Sequence, residues 1–456
     1  MQVWLHCGLK SFPYIISSAF VLHIYGCNNY FASFTKRAFR FNNSICPQNH
    51  VLFHAMHIAP HIIIILLSAI VILSYIFNLV SRLTRIPSVL LLIATGIGIK
   101  YLSRYYGYVE QDVAKLVKIL GAIGLIMIIL EAALDLEVSR KKLKLIRDAF
   151  LSATFAFIIS ACGIAFLLCR WLGESFQSAF LYAVPMSIIS SAVVIPSVKH
   201  LPEMKKEFII YESSLSDIIG ILVFNYMLID NVMSMHSAVI FAGNLGIAIL
   251  ISAAASLLLL YMLTRITVNL KFFLMFAILA LVYSVGELIS IPSLLIILVF
   301  GLVLNNSSLL LRGRFKHLAT PEYMEGILNL MRSITAETSF LIRTFFFILF
   351  GYTINLELLI VPNVILLGSI IVVILFLVRF LYLRLILRAN LFPELFLMPR
   401  GLVTILLFYS IPAEKTMSSF NVGILFFVVV ASSLIMMLGL LFFREEHTED
   451  YMPNDQ

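Results

Sequence analysis

The sequence predicts an all-α polytopic membrane protein. It reads as about 13 transmembrane helices arranged as two inverted-topology repeats, with interrupted helices at spans 5 and 12. Three observations carry this reading. The 456 residues are 61% hydrophobic and 12% charged, whereas soluble domains average about 45–50% apolar and about 25% charged. Apolar segments of roughly the ~20-residue crossing length recur along the chain. Lysine and arginine fall on alternate connections between those segments.

Residues 1–55 differ from the rest. They are mixed in character, with Cys7, Cys27 and Cys46, scattered basic residues and one short apolar run near Pro13–Tyr25. That run is a weak match to a signal peptide, which has a longer apolar core and a small-residue cleavage site. The segment reads as an extension, with the native start expected at Met56 directly before the first clean span. Residues 56–445 form the membrane domain, and residues 446–456 a short cytoplasmic tail with no room for a nucleotide-binding regulatory domain. The remaining cysteines, Cys162 and Cys169, lie within a span, so neither a disulfide framework nor a zinc site is expected.

The apolar segments run over approximately 58–80, 86–102, 116–136, 149–171, 177–198, 207–230, 237–264, 272–287, 290–306, 335–354, 360–384, 393–412 and 418–443. Arg82 and Arg85 follow the first, five basic residues between Arg140 and Arg147 the third, and Lys199, Lys205 and Lys206 the fifth. Arg265 and Lys271 follow the seventh, Arg312, Arg314 and Lys316 the ninth, Arg384 and Arg388 the eleventh, and Arg444 the last. The intervening loops are poorer in basic residues, apart from Lys100 and Arg104. The positive-inside rule therefore makes the odd loops and the carboxyl end cytoplasmic. The same retention of basic loops accounts for the excess of 32 Lys+Arg over 24 Asp+Glu, so no nucleic-acid partner is expected.

The chain repeats itself. Arg85–Ile99 (RIPSVLLLIATGIGI) and Ser290–Leu304 (SIPSLLIILVFGLVL) share Ile-Pro-Ser, and a glycine follows nine residues after each proline, at Gly96 and Gly301. Seven spans separate the copies, an odd number, so their orientations are opposite. Further pairs follow in order. Leu134-Asp135-Leu136 ends the third span and Ile354-Asn355-Leu356 the tenth; Pro185 and Pro196 interrupt the fifth and Pro399-Arg400-Gly401 the twelfth. Paired inverted repeats with broken helices place a binding site near the midplane.

The sixth span, FIIYESSLSDIIGILVFNYMLI, carries two carboxylates, Glu212 and Asp217. A charge at the bilayer centre costs roughly 2.5–3.5 kcal/mol, and such residues mark ion or proton pathways. Ser213 and Asp217 share one helical face and Glu212 and Ser216 the adjacent one, so the four form a polar arc that must face protein. The fifth span offers Ser187, Ser190 and Ser191 beside its prolines. Hydroxyls, carboxylate and freed carbonyls there make an all-oxygen site suited to a hard monovalent cation. Arg379, in the middle of the eleventh span, is the expected partner of Glu212 and leaves Asp217 to titrate; Arg400 is the charge at the twelfth span's break. Arg343 reads as snorkelling to the interface, Glu337 as part of a second structural ion pair, and Glu131, Asp135 and Glu287 as interfacial. His57 and His61, near the outer end of the first span, read as solvated or interfacial rather than metal-binding.

These residues carry a resemblance. YESSLSD resembles the Glu-Ser-Leu-Leu-Asn-Asp motif of monovalent cation:proton antiporters of the NhaP and sodium/proton-exchanger type, with Glu212, Ser213 and Asp217 on its Glu, Ser and Asp. MPRGLVTILL resembles the family's Arg-Gly segment, with Arg400 on its arginine, and Arg379 falls where the family's buried arginine pairs with the motif glutamate. The resemblance covers about residues 58–443. Two positions depart from it: Ser216 replaces the asparagine before the aspartate, and Ser190-Ser191-Ala192 replaces a Thr-Asp-Pro-type motif, removing an acidic residue and a helix-breaking proline. The resemblance implies exchange of Na+, Li+ or K+ for H+ in a cell membrane, no cofactor, no enzymatic activity and a homodimer. Asp217 would take either one proton or one cation, with Ser213, Ser190, Ser191 and Ser216 as neighbouring ligands. A single titrating group implies electroneutral one-for-one exchange. A cation channel and a sodium-coupled symporter are the competing readings. An intramembrane aspartyl protease would need a second aspartate in a Gly-x-Gly-Asp setting, and the sequence offers none.

Overall fold

The computed structural model describes residues 60–84, 86–105, 114–136, 142–198, 201–229, 235–265, 271–288, 293–306, 321–387 and 392–442. The chain divides into two units, residues 1–63 and 64–456. Almost all of the first unit lies outside the described residues, and with it the expectations for residues 1–55, Met56 and His57. Residues 446–456 lie outside them too.

Every regular element among the described residues is helical. In chain order they are α1 (Pro60–Thr84), α2 (Ser88–Tyr105), α3 (Ala114–Asp135), α4 (Leu143–Leu172), α5 (Phe176–Ser187), α6 (Ser191–Ser197), α7 (Glu203–Met227) and α8 (Met235–Arg265). Then come α9 (Lys271–Leu288), α10 (Ser293–Asn305), α11 (Pro321–Thr353), the single turn α12 (Leu356–Leu359), α13 (Pro362–Leu381), α14 (Leu402–Tyr409) and α15 (Val422–Phe442). All thirteen apolar segments carry helix. Among the described residues seven helical stretches are long and apolar enough to cross a bilayer by length and composition alone, and three shorter apolar helices accompany them. Large apolar side chains stand exposed on the outer faces, as at Ile64, Leu250 and Val373. Water would not tolerate such a surface, and lipid does.

Within residues 64–456 the helices sort by packing. One set contains α4, α5, α6, α7, α13 and α15; the other contains α2, α3, α8, α9, α10 and α11, and α14 packs against both α5 and α3. The contacts are reciprocal between the repeat copies: α2 packs on α11, and its counterpart α10 packs on α3. The matched glycines permit both approaches. A Cβ at Gly96 would lie 2.0 Å from the Ile348 carbonyl oxygen, and one at Gly301 would lie 2.5 Å from the Ala133 Cβ. The next matched pair, each thirteen residues after its proline, is Lys100 and Asn305. Lys100 Nζ donates to the Ile354 carbonyl (3.1 Å) and Asn305 Nδ2 to the Leu136 carbonyl (2.9 Å), capping the ends of α11 and α3. One of the two basic residues that broke the loop pattern, Lys100, is thus a helix cap, satisfying a carbonyl that has no intrahelical donor.

The fifth span breaks, but not at its prolines. Pro185 lies inside α5 and Pro196 inside α6, and the extended residues between the two helices are 188–190. Pro185 removes one hydrogen bond and crowds its own turn without ending the helix. The break is held by outside partners for three consecutive N–H groups: Ile189 to Ser216 Oγ (3.0 Å), Ser190 to the Pro399 carbonyl (3.0 Å) and Ser191 to Asp217 Oδ2 (3.2 Å). With those donors satisfied elsewhere, continuous helix gains nothing. In the twelfth span residues 392–396 form turns and 397–401 are irregular, so only its second half, α14, is helical.

Candidate cation site

The polar arc of α7 faces protein. Glu212, Ser213 and Ser216 are each 1% exposed and Asp217 is 4% exposed. Ser213 Oγ donates to the Ile209 carbonyl one turn back (2.8 Å), which leaves its lone pairs outward. Ser216 Oγ accepts the Ile189 N–H at the break. Asp217 presents one oxygen, Oδ2, to the Ser191 N–H at the start of α6. Its other oxygen, Oδ1, is buried without a hydrogen-bond partner, as is Ser190 Oγ. Buried polar atoms are normally paired, so an unpartnered carboxylate oxygen and hydroxyl at one helix break have the character of ligand positions.

The two breaks meet at this level. Ser190 N–H donates to the Pro399 carbonyl. A Cβ at Gly401 would lie 2.5 Å from Ser190 Oγ and 2.6 Å from Val193 Cγ2, so only glycine lets the second break lie against the first. Arg400 is 2% exposed. Its Nε donates to the Met186 carbonyl (2.6 Å), its Nη1 to the Met398 carbonyl (2.7 Å), and its backbone N–H to Ser432 Oγ (3.0 Å). Backbone carbonyls thus hold the guanidinium, and one of them, that of Met186, is in the last turn of α5, where helix polarity favours a cation.

Arg379 and Glu212 are in direct contact through two parallel hydrogen bonds, Nη1–Oε1 at 3.0 Å and Nη2–Oε2 at 2.8 Å. Arg379 Nε also donates to the Glu394 carbonyl (2.6 Å), and Ser152 Oγ donates to Glu212 Oε1. The Glu394 side chain, 9% exposed, pairs with Lys205 at 3.1 Å. Sequence reasoning missed Ser152, Glu394 and Thr404. Ser152 is a lone hydroxyl in an apolar helix and gives no signal. Glu394 looks like an ordinary loop acid. Thr404, whose buried Oγ1 has no partner, sits in the first turn of α14 next to the Arg-Gly segment, the one clue available.

Three expectations for the other half of the molecule need correction. Arg343 does not snorkel: Nη2 lies 3.3 Å from Glu131 Oε1, and the two side chains are only 12% and 16% exposed. Glu131 is accordingly an ion-pair partner rather than an interfacial acid. Among the described residues Glu337 has no ion pair and instead accepts a hydrogen bond from the Tyr75 hydroxyl (2.8 Å). The side chains of Asp135 and Glu287 lie outside the described residues, and His61 is exposed. Among the described residues no group of three or more His, Cys, Asp or Glu is arranged to hold a metal ion.

A comparison with curated protein sequences returned no match. Many solved chains resemble the fold, two structures of one antiporter among them. The sodium proton antiporter MjNhaP1 from Methanocaldococcus jannaschii, at pH 8, aligns with a TM-score of 0.64 at 19% identity, covering 83% of this chain and 97% of that one. An electron-microscopy map of the same antiporter aligns with a TM-score of 0.63 at 17% identity, covering 84% and 95%. At these identities the likeness speaks for the fold. The transmembrane sodium/hydrogen exchanger family matches residues 65–443, nearly the whole membrane part. On that match the chain belongs to the sodium/hydrogen exchanger family.

Proposed function

We propose that the protein is a secondary antiporter that exchanges Na+, Li+ or K+ for H+, one for one and without net charge movement, by alternating occupancy of Asp217. One observation carries the reading. Among the described residues three carboxylates are buried, and two of them have basic partners, Glu212 with Arg379 and Glu394 with Lys205. Asp217 has none, and one of its oxygens has no hydrogen-bond partner at all. A carboxylate so placed is neutralised either by a proton or by a cation. The two loaded forms carry equal charge, so each can cross, while the empty carboxylate is held back. Ser213, Ser190, Ser191 and Ser216 supply neighbouring oxygens. Glu212 with Arg379, and Arg400 on its carbonyls, hold the site rather than carry ions.

The named relative, a sodium proton antiporter of the same fold, supports this assignment. So does the paired-break architecture, in which one repeat moves against the other around a fixed site. We further assign the protein to the cell membrane as a homodimer with a cytoplasmic carboxyl end, on the loop charge pattern and the family. The test is flux in proteoliposomes. Sodium, lithium or potassium gradients should drive opposite proton movement that saturates and generates no membrane potential in wild type, and D217N should abolish it. A conductance without saturation would favour a channel. Sodium-driven uptake of an organic anion would favour a symporter.

A further inference from the structure

A second polar region lies away from Asp217. A cavity of about 370 Å3 is walled by α1, α2, α3, α6 and α11, and Glu131, Glu337, Arg343 and Tyr75 line it. Ala192 and Pro196 of α6 form part of its wall. Ala192 directly follows Ser191, whose N–H holds Asp217. The cavity therefore approaches the candidate cation site along α6. Its side is set by chain order. α1 runs on to Arg82, α6 to the loop of Lys199, and α11 begins after the loop of Arg312–Lys316. All three are basic loops of the cytoplasmic kind. The cavity is thus a vestibule on the cytoplasmic face.

A guanidinium is an unexpected lining for a cation's vestibule. The Glu131–Arg343 pair also differs in kind from Glu212–Arg379. It has a single 3.3 Å contact rather than a two-pronged one, with side chains 12% and 16% exposed against 4% and 1%. A single-point contact in the wall of an open cavity is held less firmly than a two-pronged, fully buried fork. Glu131 is therefore a carboxylate whose resident cation can be displaced. Glu337, also in the cavity wall, accepts only the Tyr75 hydroxyl among the described residues. With Arg343 in place the three charged groups of the vestibule sum to one negative charge; without it they would sum to two.

We propose that Arg343 is a tethered counter-ion that competes with the incoming cation for Glu131 and so sets cation affinity on the vestibule face alone. Arg343 is in this sense a specificity-determining residue rather than a ligand of the transported ion. The proposal rests on the exchange reading above.

The test is sodium-dependent proton flux in proteoliposomes of determined orientation, with sodium supplied to either face of wild type, R343Q and E131Q. R343Q should lower the apparent KM for sodium several-fold from the vestibule face and leave the opposite face unchanged. E131Q leaves Arg343 unpaired and should raise KM on that same face. A merely structural pair would not give opposite signs confined to one side. If R343Q fails to fold, E131Q alone decides: an unchanged KM overturns the proposal. Exchange by wild type with R343Q unshifted, or shifted alike from both faces, removes this proposal and leaves the exchange reading intact. Absence of exchange in wild type removes both.

Discussion

The guanidinium of Arg379 in α13 grips Glu212 of α7 through two hydrogen bonds of 3.0 and 2.8 Å, with both side chains out of reach of solvent. The contact locks the helix that bears Asp217 to a helix of the other repeat, and with Ser152 it also includes α4. Breaking a buried pair from one side strands a charge, at a cost of about 3–5 kcal/mol. R379A should therefore lower thermal stability in detergent by that order. E212L/R379L, which strands neither charge, should regain most of it, though not all, because the Glu394 carbonyl still loses its donor. Comparison of melting curves decides; a double variant no more stable than R379A would contradict this account.

D217N should behave differently. Among the described residues Asp217 has no basic partner, so removing its charge strands nothing, and the Ser191 N–H still meets an amide oxygen. Stability should hold within about 1 kcal/mol or improve, while exchange is lost. Melting temperature and flux measured on the same preparation separate this outcome from unfolding. A marked destabilisation would mean that the aspartate is a structural element of the break.

Competition at one carboxylate fixes the sign of the pH dependence. Protons and cations exclude each other, so lowering the pH should raise the apparent KM for the cation, by up to about tenfold per unit while Asp217 is mostly protonated. Maximal rate at saturating cation should change far less. At alkaline pH the rate should fall again, because the return step lacks its proton. Initial rates on a grid of pH and sodium concentration test this, and a KM independent of pH would rule out a shared site.

The sequence made some of this legible, and physics explains which parts. A carboxylate and an arginine in the middle of apolar spans each need a partner, so the contact between Glu212 and Arg379 could be read with 166 residues between them. The repeat was legible because a proline, a serine and a glycine kept their spacing. The break of the fifth span was misplaced because proline is a visible signal, whereas N–H groups satisfied by Ser216, Pro399 and Asp217 are not local to the sequence. Arg343 was misread for the same reason. Its own helix offers Glu337 out of phase, and its partner Glu131 lies 212 positions away in another helix. Lys100 looked like a topological exception until its carbonyl partner at the end of α11 was seen.

The crossing of the two breaks gives the last prediction. At Gly401 (φ −158°, ψ −136°) the close approach of the other break sets a spatial requirement. An added Cβ would meet Ser190 Oγ at 2.5 Å and Val193 Cγ2 at 2.6 Å, closer than real Cβ contacts come. G401A must push the two breaks apart, against the hydrogen bond from Ser190 N–H to the Pro399 carbonyl. Overpacking of this kind costs about 1–3 kcal/mol. Exchange should suffer more than stability, because Ser190 and the Ser191–Asp217 contact lie at the displaced point. S190A in the G401A background removes the nearest clash and leaves those with Val193 Cγ2 (2.6 Å) and the Cβ of residue 190 (3.0 Å), so it should recover part of the stability. Adding V193A should recover more, at the expense of a small cavity. Melting temperatures across G401A, S190A/G401A and S190A/V193A/G401A should therefore rise in that order. A flat series would show that the breaks are not in contact at Gly401.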